Sequence, residues 1–87
     1  MILHFHKQFV KQMKKCSKKE RDTIQERLQR FFLNPFNPAL RNHSLKGKYV
    51  GYRSIDLRPD LRAIYKQISD KEVIFVLMGT HNQLYKK

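Results

Sequence analysis

This chain is short of acidic residues relative to basic ones and has a single cysteine. Asp and Glu together number seven against nineteen Lys and Arg, leaving a formal net charge of +12 over 87 residues. That imbalance says little about fold and much about partners: it favours polyanions, and an acidic protein would neutralise it. The one cysteine, Cys16, excludes a disulfide framework and a cysteine-based zinc site, and fits a reducing, intracellular setting. Met1-Ile2-Leu3-His4 opens no apolar run of signal-peptide length, and no segment approaches the length of a membrane span. A soluble, cytoplasmic protein is the expectation. Low-complexity tracts, internal repeats and linkers are missing too. A chain this short holds one hydrophobic core, so residues 1–87 read as a single domain. It buries only about 60–65% of its unfolded surface and gains from a partner.

The cations are spread rather than gathered in a tail. They run from Lys7 to Lys19, recur from Lys46 to Arg62 and return at Lys86 and Lys87, the pattern of a folded domain with a basic surface. Residues 2–6 alternate, Leu3 and Phe5 facing one way and Ile2, His4 and His6 the other, which predicts a short strand. Phe9, Val10, Met13 and Cys16 keep helical spacing. Ser17-Lys18-Lys19-Glu20 is a capping box that opens a second helix. Ile24, Leu28, Phe31 and Phe32 form its buried stripe, and it stops before Pro35. The two helices make an αα-hairpin with its junction near Cys16.

After an irregular stretch over 34–42, three strands are predicted, near Tyr49–Leu57, Leu61–Ile68 and Glu72–Met78. The turns Arg58-Pro59-Asp60 and Ser69-Asp70-Lys71 are too short for a crossover helix, so the strands form an antiparallel β-meander. Val73 to Met78, apolar on both faces, is expected as the central strand. The fold class is α+β in the order β-α-α-β-β-β. The hairpin covers one face of the sheet and leaves the other for a ligand.

Five pieces carry the chemistry: His43-Ser44-Leu45-Lys46-Gly47, Gly51-Tyr52-Arg53, Pro59-Asp60, Ile64-Tyr65 and Gly79-Thr80-His81. Cleavage of RNA by its own 2′-hydroxyl needs a base for that hydroxyl, an acid for the departing 5′-oxygen, and cations for the charge building on phosphorus. His43, Asp60 and His81 are the candidates for proton transfer, since histidine titrates near neutrality. Arg53 offers a planar fork for a phosphate, with Lys46, Lys48 and Arg62 as further cations, and Tyr85 can stack on a base. Each is ordinary taken singly: Asp60 as a turn residue, His43 as a loop residue, Arg53 as a solvated strand cation, His81 and Tyr85 as a cap and a clamp on the sheet. His4 and His6 share a strand face, but with no third ligand in view no metal site is assigned.

Taken in order, these pieces resemble the RelE family of toxins, most closely its YafQ branch. The likeness covers residues 43–85, and the N-terminal helices match in pattern and length. It implies a ribosome-dependent mRNA endonuclease, the toxic half of a bacterial type II toxin–antitoxin pair, that needs no cofactor. Its implied partners are a cognate antitoxin, which the charge predicts to be acidic, mRNA, and the ribosomal RNA of the 70S ribosome. Carried over by motif, His43, Asp60 and His81 match the branch's acid–base residues, and Tyr85 stands where the branch has Phe. Arg53 matches the arginine of Gly-Tyr-Arg and is assigned to phosphate contact. Where the branch carries a further histidine of its catalytic set, this chain has Asp56, a carboxylate that serves either as a base or as the partner of a cation. The implied mechanism makes His81 the general acid and His43 or Asp60 the base or its support. No metal is required, because the nucleophile belongs to the substrate. A ParE-like inhibitor, which binds DNA gyrase without cutting RNA, shares this fold and is the alternative. An RNA-binding domain without activity is a third. The acid–base set favours the nuclease, since fold alone does not fix function.

Overall fold

A computed structural model of the chain describes residues 1–85, so Lys86 and Lys87 of the predicted basic surface lie outside the described residues. Strand β1 (Ile2–Phe5) leads into helices α1 (Lys7–Lys14) and α2 (Lys18–Leu33). A 3-10 turn (Pro38–Leu40), the two-residue strand β2 (His43–Ser44) and a second 3-10 turn (Gly47–Tyr49) follow. Strands β3 (Arg53–Arg58), β4 (Leu61–Ser69) and β5 (Glu72–Gly79) complete the meander, and a short helix α3 (His81–Tyr85) ends it. No helix among the described residues is long and apolar enough to cross a membrane.

The α+β order and the antiparallel meander are as the sequence predicts. The strands lie in the order β1-β5-β4-β3-β2. β1 joins parallel to β5, Leu3 opposite Val73 and Phe5 opposite Phe75, so the sheet is mixed and not wholly antiparallel. β5 is interior as expected, but the middle place belongs to β4. The first meander strand begins at Arg53, not Tyr49. Gly47 (φ 66°) and Gly51 (φ 90°) are left-handed and turn the chain through a loop that an extended strand cannot make. β2 is a strand that the sequence does not announce. His6 leaves β1 to cap α1, its Nδ1 accepting from the Gln8 amide at 3.1 Å.

The capping box forms as read: the Ser17 hydroxyl accepts from the Glu20 amide at 3.1 Å, and the Glu20 carboxylate accepts from the Ser17 amide at 2.7 Å. Those two bonds, the backbone one first, hold the Glu20 carboxyl below the usual glutamate range. The stripe behind it buries Ile24, Leu28 and Phe31, whereas Phe32 is 49% exposed. One residue beyond Phe31 lies about 100° around the helix and turns away from the sheet.

The core lies between hairpin and sheet. Phe9, Ile24, Leu28 and Phe31 meet Ile55, Leu57, Ala63, Tyr65, Val73, Phe75 and Met78. Phe75 is its hub, with the rings of Phe5, Phe9, Phe31 and Tyr65 centred 5.2–5.9 Å away. Gln12 fastens α1 to the end of β5: its amide donates to the Met78 carbonyl at 2.6 Å and accepts from the Met78 amide at 2.8 Å. That pin fixes where β5 stops and the Gly79-Thr80-His81 segment begins.

Candidate active site

Residues directly opposite one another in antiparallel strands share a face. On the face turned from the helices they form two rows, His43–Ser54–Ile64–Leu77 and Asp56–Arg62–Gly79. The rows stand two residues, about 7 Å, apart along the strands. The first is partly roofed: Leu45, Ile64 and Leu84 are buried, with Tyr49, Tyr52, Val76, Leu77 and Tyr85 packed around them. The face expected to lie free for a ligand is therefore half covered, by the 45–52 loop and α3. The Asp56 row is its polar part.

His43 is held in register by β2 and stays exposed. Its Nδ1 lies 2.9 Å from the Arg41 carbonyl. A carbonyl only accepts, so Nδ1 carries the proton and the neutral ring keeps a bare lone pair on Nε2. That is the tautomer of a proton acceptor.

His81 is the first residue of α3, and the reason the helix starts there is local. The Thr80 hydroxyl accepts from the Gln83 amide at 3.2 Å, and the Gln83 side chain accepts from the Thr80 amide at 2.9 Å. This is a second capping box. Leu84 anchors the other side of the helix in the small cluster. The exposed His81 ring lies 4.8 Å from the Tyr85 ring, which stands edge-on to Tyr49 at 5.8 Å. The Tyr85 hydroxyl is buried with no partner among the described residues.

Asp60 sits on the β3–β4 turn with its side chain 73% exposed, 3.9 Å from the Arg58 guanidinium. Asp60 stands two residues before Arg62 and His81 two residues after its partner Gly79, so both lie beyond the same end of that row. A cleft of about 330 Å³ runs beside the turn, lined in part by Asp60, Arg58, Gly79, Thr80 and Cys16. Burial pushes the Cys16 thiol up, and it donates to the Gln12 carbonyl, which suits a packed residue and not a nucleophile. Asp60 and His81 thus mark one end of the site. His43 lies three strands across, roughly 14 Å sideways at ordinary strand spacing. No two of the three are hydrogen-bonded to each other.

The predicted cations divide between the two faces. Arg62 belongs to the site, its Nε 3.5 Å from one Asp56 oxygen, while Arg41 approaches the other oxygen at 3.6 Å. Arg53 lies on the opposite face, across from Tyr65. Its Nε donates to the Asn42 side chain at 2.8 Å, and its guanidinium sits 5.5 Å from the Phe36 ring. Asn42 in turn donates to the Tyr65 hydroxyl and the Pro35 carbonyl. Arg53 therefore ties down the segment that carries Arg41 and His43. Lys46 is exposed at the start of the second 3-10 turn, and Lys48 lies over Tyr49. His4 pairs with Glu72 at 2.8 Å, which holds the Glu72 carboxyl below its usual range. Among the described residues no three His, Cys, Asp or Glu side chains converge as metal ligands.

One residue of the candidate site escapes a reading of the sequence. Arg41 carries no motif. Asp56 is visible there, but its partner is not: Arg58 pairs with Leu61 across the Pro59-Asp60 turn, and a register shift between Asp56 and Arg58 then sets Asp56 opposite Arg62.

Residues 1–86 match the model of a family described as the bacterial toxin of type II toxin–antitoxin systems, YafQ. The mRNA interferase toxin YafQ of Escherichia coli (strain K12) is 30% identical over 87 residues, 95% of this chain and 94% of that protein. The crystal structure of YafQ from E. coli strain BL21(DE3) superposes with a TM-score of 0.75 at 29% identity, covering 95% of this chain and 96% of that one. The toxin in the crystal structure of the E. coli DinJ–YafQ toxin–antitoxin complex gives 0.74 at 28% identity, over 95% and 94% of the two chains.

Proposed function

The chain belongs to the YafQ family of bacterial type II toxin–antitoxin toxins, and from that premise we propose that it is a toxin that cleaves mRNA. What carries this reading is the likeness to an mRNA interferase along 95% of the chain. The same likeness sets aside the gyrase-inhibitor alternative.

In the proposed reaction the 2′-hydroxyl attacks the adjacent phosphorus. The O2′–P bond forms and the P–O5′ bond breaks, leaving a 2′,3′-cyclic phosphate and a 5′-hydroxyl. His43 takes the 2′-hydroxyl proton on Nε2, a role supported by the Nδ1 bond to the Arg41 carbonyl. His81 gives a proton to the departing 5′-oxygen from the capped start of α3. Arg62 and Lys46 meet phosphate, and Tyr85 offers its part-buried ring to a neighbouring base. Arg53 acts from behind, through Asn42.

The partners follow from charge. A surface of +12 exceeds what one cleavage site needs, so the rest serves contact with ribosomal RNA, with a correspondingly steep salt dependence. A cognate acidic antitoxin is the protein partner, supported by the DinJ–YafQ complex of the relative. The setting is the cytoplasm, where ribosomes and mRNA meet.

The test is inducible expression in bacteria of the wild type and of the His81→Ala, Asp60→Ala double variant, following growth and mRNA 5′-ends. Arrest with new 5′-ends, both lost in the variant, is expected. Arrest with intact mRNA would remove the nuclease assignment.

A further inference from the structure

The chain has seven arginines, and five of them donate hydrogen bonds to protein acceptors. Arg21 reaches the Cys16 carbonyl, Arg27 the Ala39 carbonyl, Arg30 Glu26, Arg53 Asn42 and Arg58 Glu20. Arg41 and Arg62 are different: neither side chain donates a hydrogen bond to any described residue. Both nevertheless lean on one carboxylate, each through Nε, at 3.6 and 3.5 Å from the two oxygens of Asp56. Those separations are longer than an N–H···O bond. Ion pairing holds the guanidiniums side by side while their planar forks of donors remain open.

Charge and place both suit a phosphate. Two guanidiniums and one carboxylate leave a single positive charge, which one phosphodiester would neutralise. The Asp56–Arg62 row lies between the His43 row and the end of the sheet where Asp60 and His81 stand. Arg41 is also the one described non-glycine residue with a left-handed backbone (φ 51°). That conformation is uncommon for a side chain of its size and clusters at functional sites. Here it points the Arg41 carbonyl at His43 Nδ1 and the guanidinium at Asp56, so one turn sets both the proton acceptor and the cation.

We propose that Arg41 and Arg62, held together by Asp56, form a clamp for the scissile phosphodiester, and that Asp56 is a positioning residue and not the base. Both Asp56 oxygens face guanidiniums, which leaves neither aimed at a 2′-hydroxyl. As phosphorus becomes five-coordinate it gains a second negative charge, so the clamp acts most strongly in the transition state and its loss lowers kcat more than it raises KM. This rests on the nuclease reading above, and the experiment separates the two.

Cleavage of a ribosome-bound mRNA is measured under single turnover across pH for the wild type, Arg41→Ala, Arg62→Ala and Asp56→Asn. Because Arg62 is half-buried, Arg62→Lys, which keeps the charge and loses the fork, is measured beside it. Each arginine loss is expected to slow cleavage by about ten- to a hundredfold with an unshifted pH profile. Asp56→Asn should slow it less, also without moving the profile, and Arg62→Ala should cost less in that background than in the wild type. An Arg41→Ala, Arg62→Ala variant within twofold of wild type overturns the clamp. So does loss of the acid limb of the profile in Asp56→Asn, which would make Asp56 the base. Independently, the Nε–H resonances of Arg41 and Arg62 in the wild type are followed by NMR against a 2′-deoxy oligonucleotide, which cannot be cleaved. Shifts at both support the clamp even if the wild type proves unable to cut RNA, and their absence refutes it.

Discussion

The two faces of the sheet are made from the same strands and differ in what they leave unsatisfied. Towards the helices Phe75 is ringed by four aromatic side chains, the Tyr65 hydroxyl takes the Asn42 amide, and Arg53 and Arg58 each have a short-range acceptor. On the far side Arg41 and Arg62 only lean on Asp56, and neither His43 Nε2 nor the His81 ring has a hydrogen-bond partner among the described residues. On the proposed reading, stability and chemistry are thus allotted to opposite sides. The reactive groups are placed through the backbone, by β2 pairing, by the Arg41 turn and by the Thr80 cap. Their working atoms stay open to a substrate.

Breaking the helix side should have the largest effect. Phe75→Ala removes the hub of the aromatic cluster and should cost about 3–5 kcal/mol in urea or thermal unfolding, a large part of the roughly 5–15 kcal/mol that holds an ordinary domain. Cleavage per folded molecule should barely change. A loss below about 1 kcal/mol would mean that the core is not centred on that ring. Thr80→Ala sharpens the contrast from the other side. Losing this cap should cost about 1 kcal/mol or less, yet cleavage should fall several-fold because His81 is no longer held. Activity that merely tracks the folded fraction would refute the division between faces.

The smallest effect is acid sensitivity. Glu20 and Glu72 both have carboxyls held low by hydrogen bonds, Glu20 chiefly by the Ser17 amide and Glu72 by His4. Their contribution is complete at neutral pH, begins to fail as pH approaches the ordinary glutamate value of about 4.3, and is gone below the lowered one. A Glu20→Gln variant should show a shallower fall in melting temperature below about pH 5 than the wild type. An unchanged slope would mean that the capping box does not couple to folding.

How much of this was legible varies with the length of the signal. The hairpin could be read because the Ser17–Glu20 box and the 24, 28, 31 spacing agree over four turns, and Phe32 misled because it is apolar yet one step past the stripe. The meander could be read from two tight turns. β2 could not, since two residues have no period, and its existence depends on Ser54 and Arg53 being opposite. Nor could the roof over the far face, although Thr80-His81-Asn82-Gln83 has the spacing of a cap. His43, Asp60 and His81 could be put forward as candidates by type and order, but their separation could not be read. The side on which Arg53 lies follows from alternation along β3: it shares a face with Ile55 and Leu57, which are core. Arg41 had no signal at all, because a left-handed backbone angle at a non-glycine residue is set by tertiary context.

The parallel pairing of β1 with β5 has a consequence in time. Ile2 leaves the ribosome well ahead of its partner Glu72. The sheet cannot take in β1 until β5 is free, and the segment bearing His81 emerges later still. Contacts so distant in sequence also make folding slow. A growing copy of a protein that cuts messages therefore cannot assemble the candidate site before β5 and the Gly79-Thr80-His81 segment have emerged.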